Sequence, residues 1–174
     1  MIFLGIGAFL LFALGDANDA YLKSKWLKLC FPLGFCALAA ATYFRLNASA
    51  GVSNLWCAAG FVFLLLELYA LFGAFPAGET YVETDSKRMA CCTGVYALCR
   101  HPGVLFFAGM YVCMSLGLNL PWLDTAAYCA LDVLLVTFED KCTFPHILGG
   151  YEEYKKATPF LIPDIKSLKR MFTK

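Results

Sequence analysis

Arginine, histidine and proline stand in a row at Arg100-His101-Pro102, at the mouth of an apolar run. Proline suits the first turn of a helix, because the N–H it lacks has no intrahelical partner there. A helix starting near Pro102 puts His101 at or before its cap. The unpaired N–H groups of that first turn, with Arg100 beside them, would form a site for an anion. A plainer use exists for the same residues: Arg100 reaching lipid phosphate while His101 caps the helix. Glu139-Asp140, at the end of the following apolar run, tips the reading toward chemistry. Two adjacent carboxylates repel each other and need a cation. Asp132, seven residues earlier, shares a helix face with Glu139. Asp132 and Glu67 both fall inside apolar runs, where acids are rare and functional by default. Glu67 shows no basic partner and reads as a neutralised, buried carboxyl. Farther along, Tyr151 and Tyr154 stand three apart, on one face of a short helix.

Jointly, an anion site, two acids and two tyrosines suit a ligand with a carboxylate, an ammonium and a soft cation. S-adenosylmethionine carries all three, and an aromatic face attracts its sulfonium by cation–π interaction. A dinucleotide also needs an anion site, so the residue types alone leave both cofactors open.

These side chains need elements to position them, and the composition says of what kind. Hydrophobic residues make up 60% of the 174 and charged residues 16%, against about 45–50% and about 25% in soluble domains. Lipid is the solvent this implies. Apolar runs at about 1–15, 29–46, 55–75, 103–118 and 125–138 predict an all-α, polytopic membrane protein. It would be a single membrane domain over 1–174, with about five transmembrane helices and a short, cytoplasmic, helical C-terminal tail. The first and fifth runs are short against the usual ~20 residues. The first lacks a charged leading region and a clear A-x-A site, so it reads as a span and not a cleaved signal.

Apart from Arg45, every lysine and arginine falls within 23–28, 87–100 or 141–174, which five spans place on one side. The positive-inside rule then puts the N-terminus outside and the motif and tail in the cytoplasm. Trp56 and Trp122 mark the edges of the outer connections 47–54 and 119–124, and 76–90 is a longer polar inner loop. The segment 165–174 reads as an amphipathic tail on the membrane surface. A net charge of +1, without a basic stripe, excludes a nucleic-acid partner. The nine cysteines lie mostly in apolar runs as small hydrophobes, and with two histidines and no CxxC spacing they predict no metal site.

The ordered set Y-x3-RHPG from Tyr96 to Gly103, the acidic pair, G-Y-x2-Y at 150–154 and P-F-x-I-P at 159–163 resembles the isoprenylcysteine carboxyl methyltransferase superfamily. Phospholipid N-methyltransferases are related members. The resemblance covers about 87–164, the cofactor-binding half. It implies an integral membrane enzyme that takes S-adenosylmethionine from the cytoplasm and methylates a lipophilic acceptor entering from the lipid bilayer. Tyr96, Arg100, His101, Pro102 and Gly103 match the first half of the family's cofactor motif. Glu139 and Asp140 match its usual Glu-Glu pair, and Tyr151 and Tyr154 its tail tyrosines. Glu139 would also be the catalytic group, orienting the nucleophile or accepting its proton.

Three positions depart from the pattern. Val104 replaces an aromatic, Asp140 is one methylene short, and Ala157 stands where carboxyl methyltransferases carry an arginine. An arginine is the residue that would grip a substrate carboxylate, and Lys156 is rotated about 100° from that position. The expected acceptor is therefore neutral or an amine. Two other readings compete. NADPH-dependent sterol and steroid reductases have a similar arginine–proline motif, usually RHPNY followed by Gly-Glu, which Val104-Leu105 does not match. A non-enzymatic small membrane protein is the other, although no inverted repeat suggests a transporter.

Overall fold

Every apolar run forms a helix in the computed structural model, which describes residues 1–47, 51–73 and 88–172. Helix α1 covers Ile2–Ala17, α2 Cys30–Tyr43, α3 Asn54–Leu68, α4 Pro102–Leu118 and α5 Trp122–Phe138. Three short helices follow: α6 (Phe144–Ile147), α7 (Tyr151–Ala157) and α8 (Ile165–Phe172). The rest of the regular structure among the described residues is helical turns and one parallel pair of two-residue strands, β1 (Arg88–Met89) beside β2 (Leu148–Gly149). Among the described residues, two helical segments, Ile2–Leu22 and Asn54–Gly73, are long and apolar enough to cross a membrane. Leu27–Tyr43 and α4 are apolar but shorter. Most of the expected inner loop, with Lys87, lies outside the described residues, as do 48–50 of the outer connection and Lys174.

Helices α1, α3 and α5 outrun their regular hydrogen-bond pattern in the same way. Each continues into a π-helical turn: Asn18–Leu22, Tyr69–Gly73 and Glu139–Thr143. All three turns gather at the end of the bundle where α4 begins. A π turn closes its hydrogen bond over five residues, so it widens the helix and re-aims the side chains beyond it. The third apolar run, expected as one span to about 75, is thus regular only to Leu68.

Helix α1 packs on α2 and α3 on α4, with α5 against α1 and α4. Their shared core is rich in rings: Phe9, Phe12, Phe107, Tyr111 and Tyr128, with Leu38. Two pairs of polar groups inside it are matched between helices, while the Tyr128 hydroxyl is buried without a partner. Thr42 Oγ1 meets the Tyr111 hydroxyl at 2.7 Å, and Ser115 meets Thr125 at 2.7 Å. At the end away from the π turns, Asn119 closes α4 in the left-handed conformation, and its side chain donates to the Gly51 carbonyl at 2.6 Å. Arg45, the one basic residue out of pattern, is explained there. Its Nε donates to Oδ2 of fully buried Asp124 at 2.5 Å, tying the end of α2 to the start of α5.

Candidate functional site

The chain entering α4 is stitched to the C-terminal tail. After the 3-10 turn Gly94–Ala97, the backbone N–H groups of Arg100 and His101 donate to the carbonyls of Pro159 and Phe160, at 2.9 and 3.3 Å. The Tyr154 hydroxyl donates to the Tyr96 carbonyl at 2.7 Å, and the Tyr96 hydroxyl to the Ala70 carbonyl at 2.9 Å. Gly150 starts α7 with φ +69°, a conformation that costs glycine little, and α7 turns Tyr151 and Tyr154 inward, where both are buried.

Arg100 sits at the centre of this knot. Its Nε and Nη2 donate to the two carboxylate oxygens of Asp140, at 2.8 and 3.2 Å. Its Nη1 reaches the carbonyls of Lys155 and Thr158, at 3.0 and 2.9 Å. The Tyr151 hydroxyl adds a third hydrogen bond to Asp140, at 2.7 Å. Burial opposes ionisation of Asp140, but the neighbouring His101, Tyr151 and Arg100 outweigh it and hold the carboxyl well below the usual carboxylate range. Burial pushes the Tyr151 and Tyr154 hydroxyls far above the ordinary phenol value, so both remain protonated donors.

The adjacent acids therefore part company. Asp140 turns to Arg100 and the tail, while Glu139 turns into a cavity of about 290 Å³ under the mouth of α4. Tyr96, Arg100, His101, Pro102 and Gly103 line that cavity with Glu139. Asp140, Tyr151 and Tyr154 do not line it; they fix Arg100 and the tail behind it. His101 caps α4 without a side-chain hydrogen bond. Its ring stacks on Phe144, with centroids 5.7 Å apart and planes 10° apart, and meets Phe160 edge-on. Its Nδ1 is 3.7 Å from Glu139 Oε2, and its Nε2 is 3.5 Å from Asp140 Oδ1 without forming a hydrogen bond. Burial lowers its pKa, against the pull of Asp140, so the ring is neutral near pH 7.

Three further carboxyls line the cavity: Asp16, Glu67 and Asp132. Asp132 shares it with Glu139, as their seven-residue spacing predicts. Glu67, which the sequence presents as a buried carboxyl with no role, lies against the first turn of α4. A Cβ added at Gly103 would come within 3.2 Å of its Oε1. Asp16 is the residue that sequence reasoning missed. It directly follows the first apolar run, two residues before the π segment Asn18–Leu22, and its carboxyl meets that of Glu139. Its signal was weak: an acid directly at the end of an apolar run, with Asn18 and Asp19 close behind it. Oδ2 of Asp16, Oε2 of Glu67 and Nε2 of His101 are buried without hydrogen-bond partners.

The rest of the wall is apolar, with Phe9, Phe12, Phe31, Phe35 and Phe107 facing the acids. Orphaned donors and acceptors beside aromatic faces fit S-adenosylmethionine. The His101 ring and the free N–H groups at the start of α4 suit its carboxylate, Glu139 suits its ammonium, and the aromatic faces suit its sulfonium. Arg100 does not serve as the anion anchor, since Asp140 and the tail carbonyls engage it. Compared with known proteins, the chain matches no family model, no curated protein and no solved structure.

Proposed function

We propose that the chain is an integral membrane methyltransferase that uses S-adenosylmethionine on a lipophilic small molecule or lipid. In this reading five helices span the bilayer, with the N-terminus outside and the cavity opening near the cytoplasmic face. Large apolar side chains exposed on the helices, among them Phe3, Leu10, Leu55, Phe61 and Leu134, favour contact with lipid. The observation that carries the proposal is the cavity. It joins His101, the mouth of α4 and Glu139 to a ring-lined apolar chamber, so a polar cofactor and a greasy acceptor can meet.

When bound, the cofactor supplies an electrophilic methyl group on a sulfonium. The chain's own residues position the reactants and exclude water, which is most of what an in-line displacement requires. The knot around Arg100 holds the approach to α4 against the tail, so His101 is fixed between Phe144 and Phe160. His101, neutral, offers a ring N–H and a ring lone pair. Glu139 faces the cavity and is the group to orient the nucleophile or accept its proton. The phenylalanine walls keep water from the reacting atoms. A reductase reading fares worse, because a dinucleotide's phosphates would meet four carboxyls and no unengaged arginine.

Calorimetric titration of the detergent-purified protein with S-adenosylhomocysteine, and with NADPH in parallel, tests this. The expected result is binding of the first, weakened at least tenfold in His101→Ala and in Glu139→Gln, both still folded. Binding of NADPH alone would move the protein to the reductases, and binding of neither would sink the enzymatic reading.

A further inference from the structure

We propose that the cavity takes a lipophilic amine that carries no phosphate: a single-chain monocation held by carboxyls from three helices. This names the acceptor class of the site described above, and only the fate of the amine rests on the methyltransferase reading.

Charge is the first reason. Asp16 comes from α1, Glu67 from α3, and Asp132 with Glu139 from α5, and all four line one cavity. They are close enough to interact electrostatically, Glu67 with Asp132, and Glu139 with both Asp16 and Asp132. Against them stand two basic residues. Arg100 is neutralised by Asp140 and held by the Lys155 and Thr158 carbonyls. His101 is buried and neutral. A cation is the partner such acids lack, and a phosphate would meet them with nothing to balance it.

The unpartnered atoms are the second reason. Asp16 is 7% exposed, lines the cavity, and leaves Oδ2 without a hydrogen bond; Oε2 of Glu67 is orphaned in the same way. Buried polar atoms are nearly always paired, and each one left unpaired is a cost to the fold that a ligand can relieve. An ammonium has three N–H donors to share among acceptors placed around it.

Shape is the third. Phe9, Phe12, Phe31 and Phe35 line the same chamber, a surface for an alkyl chain and for cation–π contact. About 290 Å³ lies at the small end of ligand sites, which run about 300–1,000 Å³. That suits a head group with one chain better than a two-chain lipid.

The test uses the whole protein in neutral-lipid nanodiscs, titrated calorimetrically with octylamine, octanol and octyl phosphate. These probes share a chain and differ in head group. Octylamine is expected to bind at least tenfold more tightly than either of the others. Glu67→Gln with Asp132→Asn, checked for unchanged thermal unfolding, is expected to remove that preference. Equal binding of all three by the wild type would overturn the proposal without any variant. So would an amine preference that survives loss of both carboxyls. S-adenosylhomocysteine is titrated in parallel. Amine preference without its binding would refute the methyltransferase and leave this inference standing; its binding without amine preference would do the reverse.

Discussion

Replacing Arg100 by methionine separates two roles that the same residue invites. As a cofactor anchor it would cost binding and leave the fold alone. The structure gives it another role, because four hydrogen bonds bind it to Asp140, Lys155 and Thr158. The two charged side chains are 11% and 8% exposed, so the pair is effectively buried. Removing one partner of such a pair costs about 3–5 kcal/mol, chiefly through the charge left behind. Asp140 keeps the Tyr151 hydroxyl and recovers part of the loss by taking a proton, which favours the low end, about 3 kcal/mol. For a chain of this size each kcal/mol moves the midpoint by about 2–4 °C, so Arg100→Met should unfold about 6–12 °C earlier. Thermal unfolding in detergent, followed by circular dichroism, measures it. Arg100→Met with Asp140→Leu removes both charges and should recover most of the shift, as a double-mutant cycle would show. An unchanged midpoint in Arg100→Met, together with lost S-adenosylhomocysteine binding, would refute the argument and return Arg100 to the ligand.

His101 and Asp140 should respond to acid at different pH. His101 has a lowered pKa when folded, so below about 6.5 the unfolded chain binds the extra proton. Its stabilising contribution is present above that pH and is lost as pH falls toward the folded value; the melting-temperature difference between wild type and His101→Gln should shrink over that range, a comparison in which the other titrating groups cancel. Asp140 has a depressed pKa, so its contribution persists down to about pH 3.9 and is lost only below it. At the helix crossing, Gly5→Ala would place a Cβ 2.2 Å from the ring of fully buried Tyr128, and overpacking of this kind costs about 1–3 kcal/mol, read as an earlier thermal midpoint. Arg45→Met would strip buried Asp124 of its cation at the other end of the bundle, a loss of about 1–3 kcal/mol in the same assay, with S-adenosylhomocysteine affinity unchanged.

The helices were legible because continuous apolar runs leave few alternatives, and Pro102 and Asn119 mark where α4 starts and stops. The π turns were not legible. Whether α1, α3 and α5 tighten or widen at their ends depends on what packs there, and no local residue signals it. That gap hid Asp16, since the apolar run stops where polarity begins, whereas the helix carries on to Leu22. It also hid the division of labour between Glu139 and Asp140. In sequence they form a unit; on a helix, successive side chains diverge by about 100°, so neighbours can serve opposite faces.

This division changes what the motif means. Arg100, Asp140, Tyr151, Tyr154 and the 158–160 segment are ordered along the chain because each closes one link of the knot that fastens the tail to the approach of α4. A chain could keep all of them for that purpose alone. The resemblance therefore speaks first to how this half folds, and chemistry has to be argued from the residues the knot leaves free. Those are His101, Glu139 and the carboxyls of Asp16, Glu67 and Asp132, unmatched by any free cation in the cavity they line. Stability alone favours apolar replacements at such positions, since a buried acid without a partner is a standing cost. Four of them around one aromatic chamber make sense if something cationic enters it.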